Sequence, residues 1–115
     1  MPFSCGDVVL ILFPDSNLLT AKRRPALIVM ADNLNTGLPQ TIVAMITSNM
    51  ARAPHPSRFS VIRSTPEGLA MGLLTDSVVM ADNLATVLHS EIDRVIGQCP
   101  DLAPVHAALR HTFGL

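Results

Sequence analysis

The sequence predicts a mainly β protein: a small, strongly bent β-barrel with one C-terminal α-helix. Short apolar runs rich in β-branched residues recur along the chain, and they end at Gly, Pro, Asp or Asn. Near residue 100 the pattern changes, and apolar residues then recur at helical spacing. Several short strands followed by a single helix favour a small barrel with a helix packed on it.

The predicted strands are short and are separated by turn-forming residues. They cover residues 8–13, 25–31, 41–47, 59–62, 73–80 and 84–88. The segment 59–62 alternates only weakly, so we expect it at an edge of the sheet. The polar residues 15–23 are expected to form a long mobile loop, and residues 49–57 a second loop, because the prolines there cannot donate to a sheet. Turns are predicted at 66–68 and at Asp82-Asn83.

The C-terminal segment has the features of one amphipathic helix. Asp101 is suited to cap its first turn, and Gly114 to end it. The apolar residues between them fall on one face, at Leu102, Val105, Leu109 and Phe113.

A six-residue sequence occurs twice in the chain. Residues 29–34 read Val-Met-Ala-Asp-Asn-Leu, and residues 79–84 repeat them. Two copies do not make a solenoid. The interpretation from sequence is that two strands end in the same Asx-type turn.

Composition limits the possible functions. A chain of 115 residues is expected to form one domain, residues 1–115. Hydrophobic residues make up 49% of it and charged residues 15%, with a mean hydropathy of +0.41, which suggests that a partner or a second copy covers part of its surface. The net charge of −1 gives no global attraction to nucleic acid, so any polyanion must be bound by a local basic patch.

No targeting or cofactor signal is evident. No apolar run approaches the ~20 residues of a membrane span, and the N-terminus lacks the pattern of a signal peptide. Cys5 and Cys99 show no metal-ligand spacing, and both thiols are expected to be reduced. The sequence therefore predicts a cytoplasmic protein without a membrane contact, a metal site or a cofactor.

Two segments suggest chemistry on a phosphodiester. Lys22-Arg23-Arg24-Pro25 places three cations at the start of one apolar run, and Thr47-Ser48-Asn49 places hydroxyl and amide groups at the end of another. On neighbouring strands, the two segments would bring a guanidinium and a hydroxyl to one place. A guanidinium donates two hydrogen bonds to phosphate oxygens, which suits stabilisation of a pentacoordinate phosphorus.

These segments resemble the MazF/PemK family of endoribonuclease toxins from toxin–antitoxin modules, and the resemblance covers nearly the whole chain. The order and spacing of several short motifs support it. The matching segments are Gly6-Asp7-Val8-Val9, Arg24-Pro25-Ala26-Leu27-Ile28-Val29, Ile46-Thr47-Ser48-Asn49, the stretch from Gly72-Leu73 to Asp82-Asn83-Leu84, and Ile96-Gly97 with the terminal helix. Two features depart from the family. Met80 and Ala85 are apolar where several members carry a basic residue, and the first loop is shorter and less basic than in several members.

The resemblance implies an SH3-like barrel of the CcdB/PemK type that dimerises, cleaves single-stranded RNA without a metal, and is inhibited by a cognate antitoxin. It places Arg24 on the catalytic arginine of the family and Thr47 on its catalytic threonine. Because a guanidinium keeps its proton, we assign Arg24 to stabilising charge while the ribose 2′-hydroxyl attacks, with donation toward the leaving group as a second role. Thr47 would bind the phosphate or orient Arg24. The residues expected to bind RNA are Lys22, Arg23, Ser48, Asn49, Arg52, His55, Arg58 and Asp82.

Two other functions fit the same sequence. The gyrase poisons of the CcdB type share this barrel, and a fold does not determine its function. A toxin-like domain that only binds is the other alternative. Cleavage of RNA in EDTA would separate the ribonuclease from both.

Overall fold

A computed structural model describes residues 3–14 and 19–115 of the chain. Its six strands form one antiparallel sheet in the order β4-β5-β3-β2-β1-β6. The strands are β1 (Asp7–Pro14), β2 (Ala21–Ile28), β3 (Gln40–Thr47), β4 (Arg58–Val61), β5 (Ser77–Leu88) and β6 (Ile92–Gln98). The helices are α1 (Pro66–Met71) and α2 (Ala103–Phe113), with 3₁₀ turns at Met50–Arg52 and His89–Glu91. Among the described residues, no helix is both long and apolar enough to cross a membrane.

The sheet is buried on both faces, which explains why its strands read as continuous apolar runs. Alternate residues of a strand point to opposite faces. Val8 and Leu27 belong to a core that includes Met71 of α1 and Val105 of α2, so this face packs under the helices. The other face forms a second core between strands; its buried members are Val9, Ile11, Ala26, Ile28, Val43, Val87 and Ile92.

The C-terminal helix lies where the sequence predicted it, although Phe113 of the predicted apolar face is exposed. The Asp101 carboxylate accepts a hydrogen bond from the backbone N–H of Ala103 at 3.0 Å. Gly114 ends the helix in the left-handed region, at φ 68°, which glycine adopts without the steric cost of a Cβ. Val105 and Ala108 form its buried side.

The predicted division of the fifth run into two strands is wrong. Residues 77–88 form one strand, and Asp82-Asn83 is not a turn between strands. Met80 pairs with Met45, and Leu84 pairs with Ala44, the neighbour of Met45 on β3. Residues 81–83 of β5 therefore have no partner on β3 and form a bulge. A bulge bends a strand without ending it. The interpretation of the repeat therefore holds for the first copy, where β2 ends at Ile28 and Asp32-Asn33 lies in a turn, and is wrong for the second copy, which lies inside β5.

Several other element boundaries also differ from the prediction. β2 begins at Ala21, so Lys22 and Arg23 lie within the strand rather than in the predicted loop. Residues 15–18 of that loop lie outside the described residues. The predicted turn at 66–68 is the first part of α1, which Thr65 caps by accepting from Gly68 N–H at 3.1 Å. Strand β6 was missed, whereas β4 lies at the edge as predicted.

Close backbone contact joins α1 to β6. Gly72 ends α1 at φ 71°, and a Cβ there would collide with the carbonyl oxygen of Ile96. A Cβ at Gly97 would likewise collide with the backbone of Met71. Glycines at both positions thus let α1 sit directly on β6, and this packing fixes one wall of the cleft described next.

Candidate active site

A cleft of about 950 Å³ opens where β2 and β3 stop pairing with each other. The ladder between these two strands covers only Ala26–Met45, Leu27–Ala44 and Ile28–Val43. Beyond Ala26, β2 pairs only with β1, and beyond Met45, β3 pairs only with β5. The two strands therefore separate, and the cleft lies between their ends.

Arg24 and Thr47 occupy corresponding positions on the two separated strands. Continuing the register of Ala26 and Met45 by two residues would place Arg24 opposite Thr47. Because side chains alternate between the two faces of a sheet with a period of two residues, Arg24 and Thr47 lie on the same face as Ala26 and Met45. Both side chains line the cleft. The structure thus brings together the guanidinium and the hydroxyl that the sequence predicted.

The hydroxyl of Thr47 has a defined local partner. Its oxygen accepts a hydrogen bond from the backbone N–H of Asn49 at 3.1 Å, which forms a tight turn at the end of β3. The proton of the hydroxyl remains available to donate to a phosphate oxygen. In the same turn, the Asn49 side chain accepts from Ala51 N–H at 3.2 Å and starts the 3₁₀ turn that carries Arg52 to the cleft.

The charge of the cleft is strongly one-sided. Its lining includes four of the eight basic residues of the chain, whereas none of the lining residues is an Asp or a Glu. The four are Arg23, Arg24, Arg52 and Arg94. Clefts lined by one sign of charge concentrate counter-ions of the other sign. This is the local basic patch that a chain of net charge −1 needs in order to bind a polyanion.

An acidic residue of β6 holds one of these arginines at the rim. Arg23 Nε donates to Asp93 Oδ2 at 2.9 Å, and the same oxygen lies 4.0 Å from Arg94 Nε. The side chain of Arg23 is nevertheless 59% exposed and that of Arg94 69%. Both cations therefore stay accessible to a ligand while Asp93 restricts where they point.

The predicted RNA-binding residues divide into two groups. Arg23, Ser48 and Arg52 line the cleft together with the proposed catalytic pair. The others do not line it: Lys22, Asn49, His55, Arg58 and Asp82.

Three of those other residues have partners of their own. Arg58 pairs with Asp82 at 2.8 Å, and its hydrogen bonds hold the pKa of the Asp82 carboxyl below the ordinary range. The His55 ring accepts from Ser57 N–H at 3.0 Å through Nδ1 and meets His111 of α2 edge-on, with the ring centres 5.8 Å apart. These three residues are thus engaged with neighbouring protein groups and do not line the cleft.

Comparison with known proteins identifies the family. Residues 4–113 match the profile of the PemK-like, MazF-like toxins of type II toxin–antitoxin systems. The chain belongs to this family. Endoribonuclease MazF6 of Mycobacterium tuberculosis is 33% identical to it over 90 residues, which is 77% of this chain and 75% of the relative. Endoribonuclease MazF2 of Mycobacterium bovis gives the same values.

Solved structures confirm the predicted fold. A mycobacterial endoribonuclease in complex with its cognate antitoxin superposes with a TM-score of 0.73 at 23% identity, over 98% of this chain and 96% of that one. The MazE–MazF complex (Form II) of Deinococcus radiodurans gives a TM-score of 0.75 at 22% identity, over 100% and 98% of the two chains. The mainly β fold with a C-terminal helix is thus shared with MazF structures.

Two residues of the cleft were missed by the sequence analysis. Arg94 lies on β6, which the sequence did not predict as a strand, so nothing placed it beside β1 and β2. Asn83 was interpreted as part of a turn, but it lies in the bulge of β5 and lines the cleft. The family motif ending in Asp82-Asn83 was the available signal, and of its two polar residues it is Asn83 that reaches the cleft.

The cleft also shows which chemistries its groups can perform. Within the described part of the chain, no cluster of three or more His, Cys, Asp or Glu residues could hold a metal ion. Burial raises the pKa of the Cys5 and Cys99 thiols, so neither is an activated nucleophile. What the cleft offers is fixed positive charge and hydroxyl groups, which suits binding and polarising a phosphodiester.

Proposed function

We propose that this chain is the toxin of a type II toxin–antitoxin module and acts as an endoribonuclease on single-stranded RNA. The observation that carries the proposal is that Arg24 and Thr47 line one cleft together with three further arginines and no carboxylate. Membership of the MazF-like family and relatives named endoribonuclease support the same activity.

The proposed reaction uses the RNA's own nucleophile. The ribose 2′-hydroxyl attacks the adjacent phosphorus, the bond to the 5′-oxygen of the next nucleotide breaks, and the products are a 2′,3′-cyclic phosphate and a 5′-hydroxyl. Negative charge accumulates on the phosphate oxygens in the transition state. Arg24 neutralises that charge through its planar pair of donors, and a fixed donor of this kind is typically worth ~10²–10³ in rate.

Thr47 and the remaining arginines have supporting roles in this scheme. The Thr47 hydroxyl donates to a phosphate oxygen, because its own oxygen is already bound by Asn49 N–H. Arg23, Arg52 and Arg94 bind the neighbouring phosphates of the strand. A guanidinium supplies the positive charge that a divalent metal would otherwise provide, so the proposed activity is independent of metal.

A cognate antitoxin and a second copy of the chain are the proposed partners. An extended acidic segment of the antitoxin would lie over the cleft and compete with RNA, anchored by Lys22, Arg23, Arg52 and Arg58. Dimerisation near α2 would cover apolar side chains such as Phe113 and Leu115, which are 60% and 88% exposed. Sedimentation at micromolar concentration that shows only monomer would contradict the dimer. The proposed place of action is the cytoplasm, where mRNA is available.

One experiment tests the activity directly. The purified protein, free of antitoxin, is incubated with end-labelled single-stranded RNA in excess EDTA, and the products are resolved on a gel. We expect cleavage that leaves 5′-hydroxyl ends and that Arg24→Ala eliminates. Intact RNA after incubation with a folded wild-type protein would reject the ribonuclease, and inhibition of gyrase by that protein would then favour the CcdB-like alternative.

A further inference from the structure

Asn83 is placed in the cleft by an irregularity of β5. Residues 81–83 have no partners on β3, because Met80 pairs with Met45 and Leu84 with Ala44. The bulge is held from outside the cleft: Ala81 N–H donates to Ser57 O at 2.9 Å, and the side chain of Asp82 is bound by Arg58. With its two predecessors fixed in this way, Asn83 lines the cleft from a rigid strand rather than from a loop.

The side chain of Asn83 is chemically distinct within the cleft. It is the one amide among the lining residues, and the amide makes no hydrogen bond within the described residues. The arginines of the cleft only donate, whereas an amide presents a donor and an acceptor side by side in one plane. That arrangement matches the edge of a nucleobase, which also presents a donor beside an acceptor. A phosphate only accepts hydrogen bonds, so it would use the donor of the amide and leave the acceptor unused.

The surroundings of Asn83 also suit a base better than a phosphate. Met80 and Ala85 flank it along β5, and Met45 lies opposite Met80; all three line the cleft. Apolar side chains can cover the flat face of a base but cannot solvate a phosphate. Of the residues from Met80 to Ala85 that line the cleft, Asn83 is thus the polar one, between two apolar side chains.

We propose that Asn83 is a specificity-determining residue that reads the edge of an adenine in the bound RNA. The proposal rests on the proposed function, in that the ligand of the cleft is single-stranded RNA. Adenine is the base that fits best, because both of its exposed edges offer an amino donor next to a ring-nitrogen acceptor. Guanine offers two acceptors on one of its edges, and each pyrimidine has only one edge of the required kind. Asparagine pairs with adenine in this way in nucleic-acid complexes.

The test measures base preference independently of cleavage. The probes are fluorescein-labelled uridine heptamers whose central position is A, G, C or U, with 2′-fluoro riboses that remove the nucleophile. Fluorescence anisotropy gives the Kd of each probe. We expect the wild type to bind the A probe about tenfold more tightly than the G probe, as one bidentate base contact provides.

Asn83→Asp should reverse that preference. The change keeps the shape of the side chain but leaves only acceptors, so the G probe, whose N1–H and N2–H lie side by side, should then be favoured over the A probe. The added negative charge weakens all four probes alike and cancels in the ratio of the two Kd values. Asn33→Asp is the matched control, because it makes the same change in the other copy of the repeat, at an exposed residue outside the cleft; it should keep the wild-type ratio.

Two outcomes would overturn the proposal. One is a wild-type protein that binds the four probes alike or binds none of them. The other is an Asn83→Asp variant that keeps the wild-type ratio. The proposed function fails in a different way: a wild type that prefers the A probe but leaves natural RNA intact would contradict the ribonuclease and preserve the role of Asn83.

Discussion

Arg58 and Asp82 form a two-point ion pair beside the cleft. The Arg58 guanidinium donates to both carboxylate oxygens, from Nη2 to Oδ2 at 2.8 Å and from Nε to Oδ1 at 3.3 Å. Its Nη1 donates at 3.0 Å to the carbonyl of Arg52. This one side chain therefore connects β4, the bulge of β5 and the 3₁₀ turn that brings Arg52 into the cleft.

The ion pair should make stability depend on pH. The folded state holds the pKa of Asp82 below its ordinary value, so the stabilisation is complete above the unfolded pKa of ~3.9 and is lost as the pH falls through the lower folded pKa. We expect Asp82→Asn to lower the free energy of unfolding by roughly 1 kcal/mol or less at pH 7, as is typical of exposed pairs. Urea unfolding of both proteins from pH 7 to pH 3 measures this difference.

The difference between the two proteins should be constant from pH 7 to about pH 5 and should shrink below about pH 4. Asp76→Asn is a suitable control, because that carboxylate accepts a backbone N–H and pairs with no arginine in the described structure. A difference between wild type and Asp82→Asn that grew as the pH fell would contradict the assignment.

Arg24→Ala and Thr47→Ala should each eliminate most of the RNA cleavage. Both groups are proposed to act on the transition state, so kcat should fall by about 10²–10³ while KM changes little. Single-turnover cleavage at saturating RNA measures the chemical step. Arg63→Ala and Thr86→Ala change the same residue types at exposed positions outside the cleft and should leave the rate unaltered. Near-normal cleavage by either site variant would remove that residue from the mechanism.

Binding of RNA should weaken with salt in proportion to the arginines of the cleft. Single strands give a slope of about −0.7 in log K against log salt for each phosphate neutralised, so the three arginines proposed to bind neighbouring phosphates predict about −2. Arg52→Ala and Arg94→Ala should each reduce the steepness by about 0.7. Arg63→Ala is the control and should keep the wild-type slope. An affinity that does not respond to salt would exclude the cleft arginines as the binding surface.

Two glycines that end helices should respond very differently to the same substitution. Gly72 and Gly114 have similar φ angles, 71° and 68°, but only Gly72 is pressed against another backbone segment. Gly114→Ala should cost about 1–2 kcal/mol, the strain of a left-handed alanine. Gly72→Ala should cost about 1–3 kcal/mol more, because the added Cβ collides with the carbonyl of Ile96. Chemical denaturation of both variants tests this; equal losses would mean that the contact between α1 and β6 is not close.

The sequence predicted the parts of the fold that depend on local signals. Apolar runs marked β1 to β3 because these strands are buried on both faces, and the period of Leu102, Val105 and Leu109 marked α2. Local signals were insufficient for β5, where Asp82-Asn83 suggested a turn, because Ala81 N–H and the Asp82 side chain are bound by β4 and its preceding turn. The repeat shows this directly, since the same six residues form a loop after β2 and part of a strand in β5.

The same distinction between local signals and long-range contacts applies to the prediction of the site. Arg24 and Thr47 could be singled out as candidates because they flank recognisable strands in the order of the family. Arg94 was not, since its place beside Leu10 results from the pairing of β6 with β1, between residues more than 80 positions apart. The sequence also grouped Asp82 with the RNA-binding residues, either to accept from a base edge or to hold a basic side chain in place. Only the geometry of the bulge shows that Asp82 binds Arg58 while its neighbour Asn83 lines the cleft.

The short ladder between β2 and β3 divides the sheet into two three-stranded halves. Arg24 belongs to the half made of β6, β1 and β2, and Thr47 to the half made of β3, β5 and β4. Within each half the strands are joined by longer ladders, whereas three residue pairs join the two halves to each other. The position of Arg24 relative to Thr47 therefore depends on how the two halves are oriented at this three-pair junction, and a ligand that contacts both halves would bear on it directly.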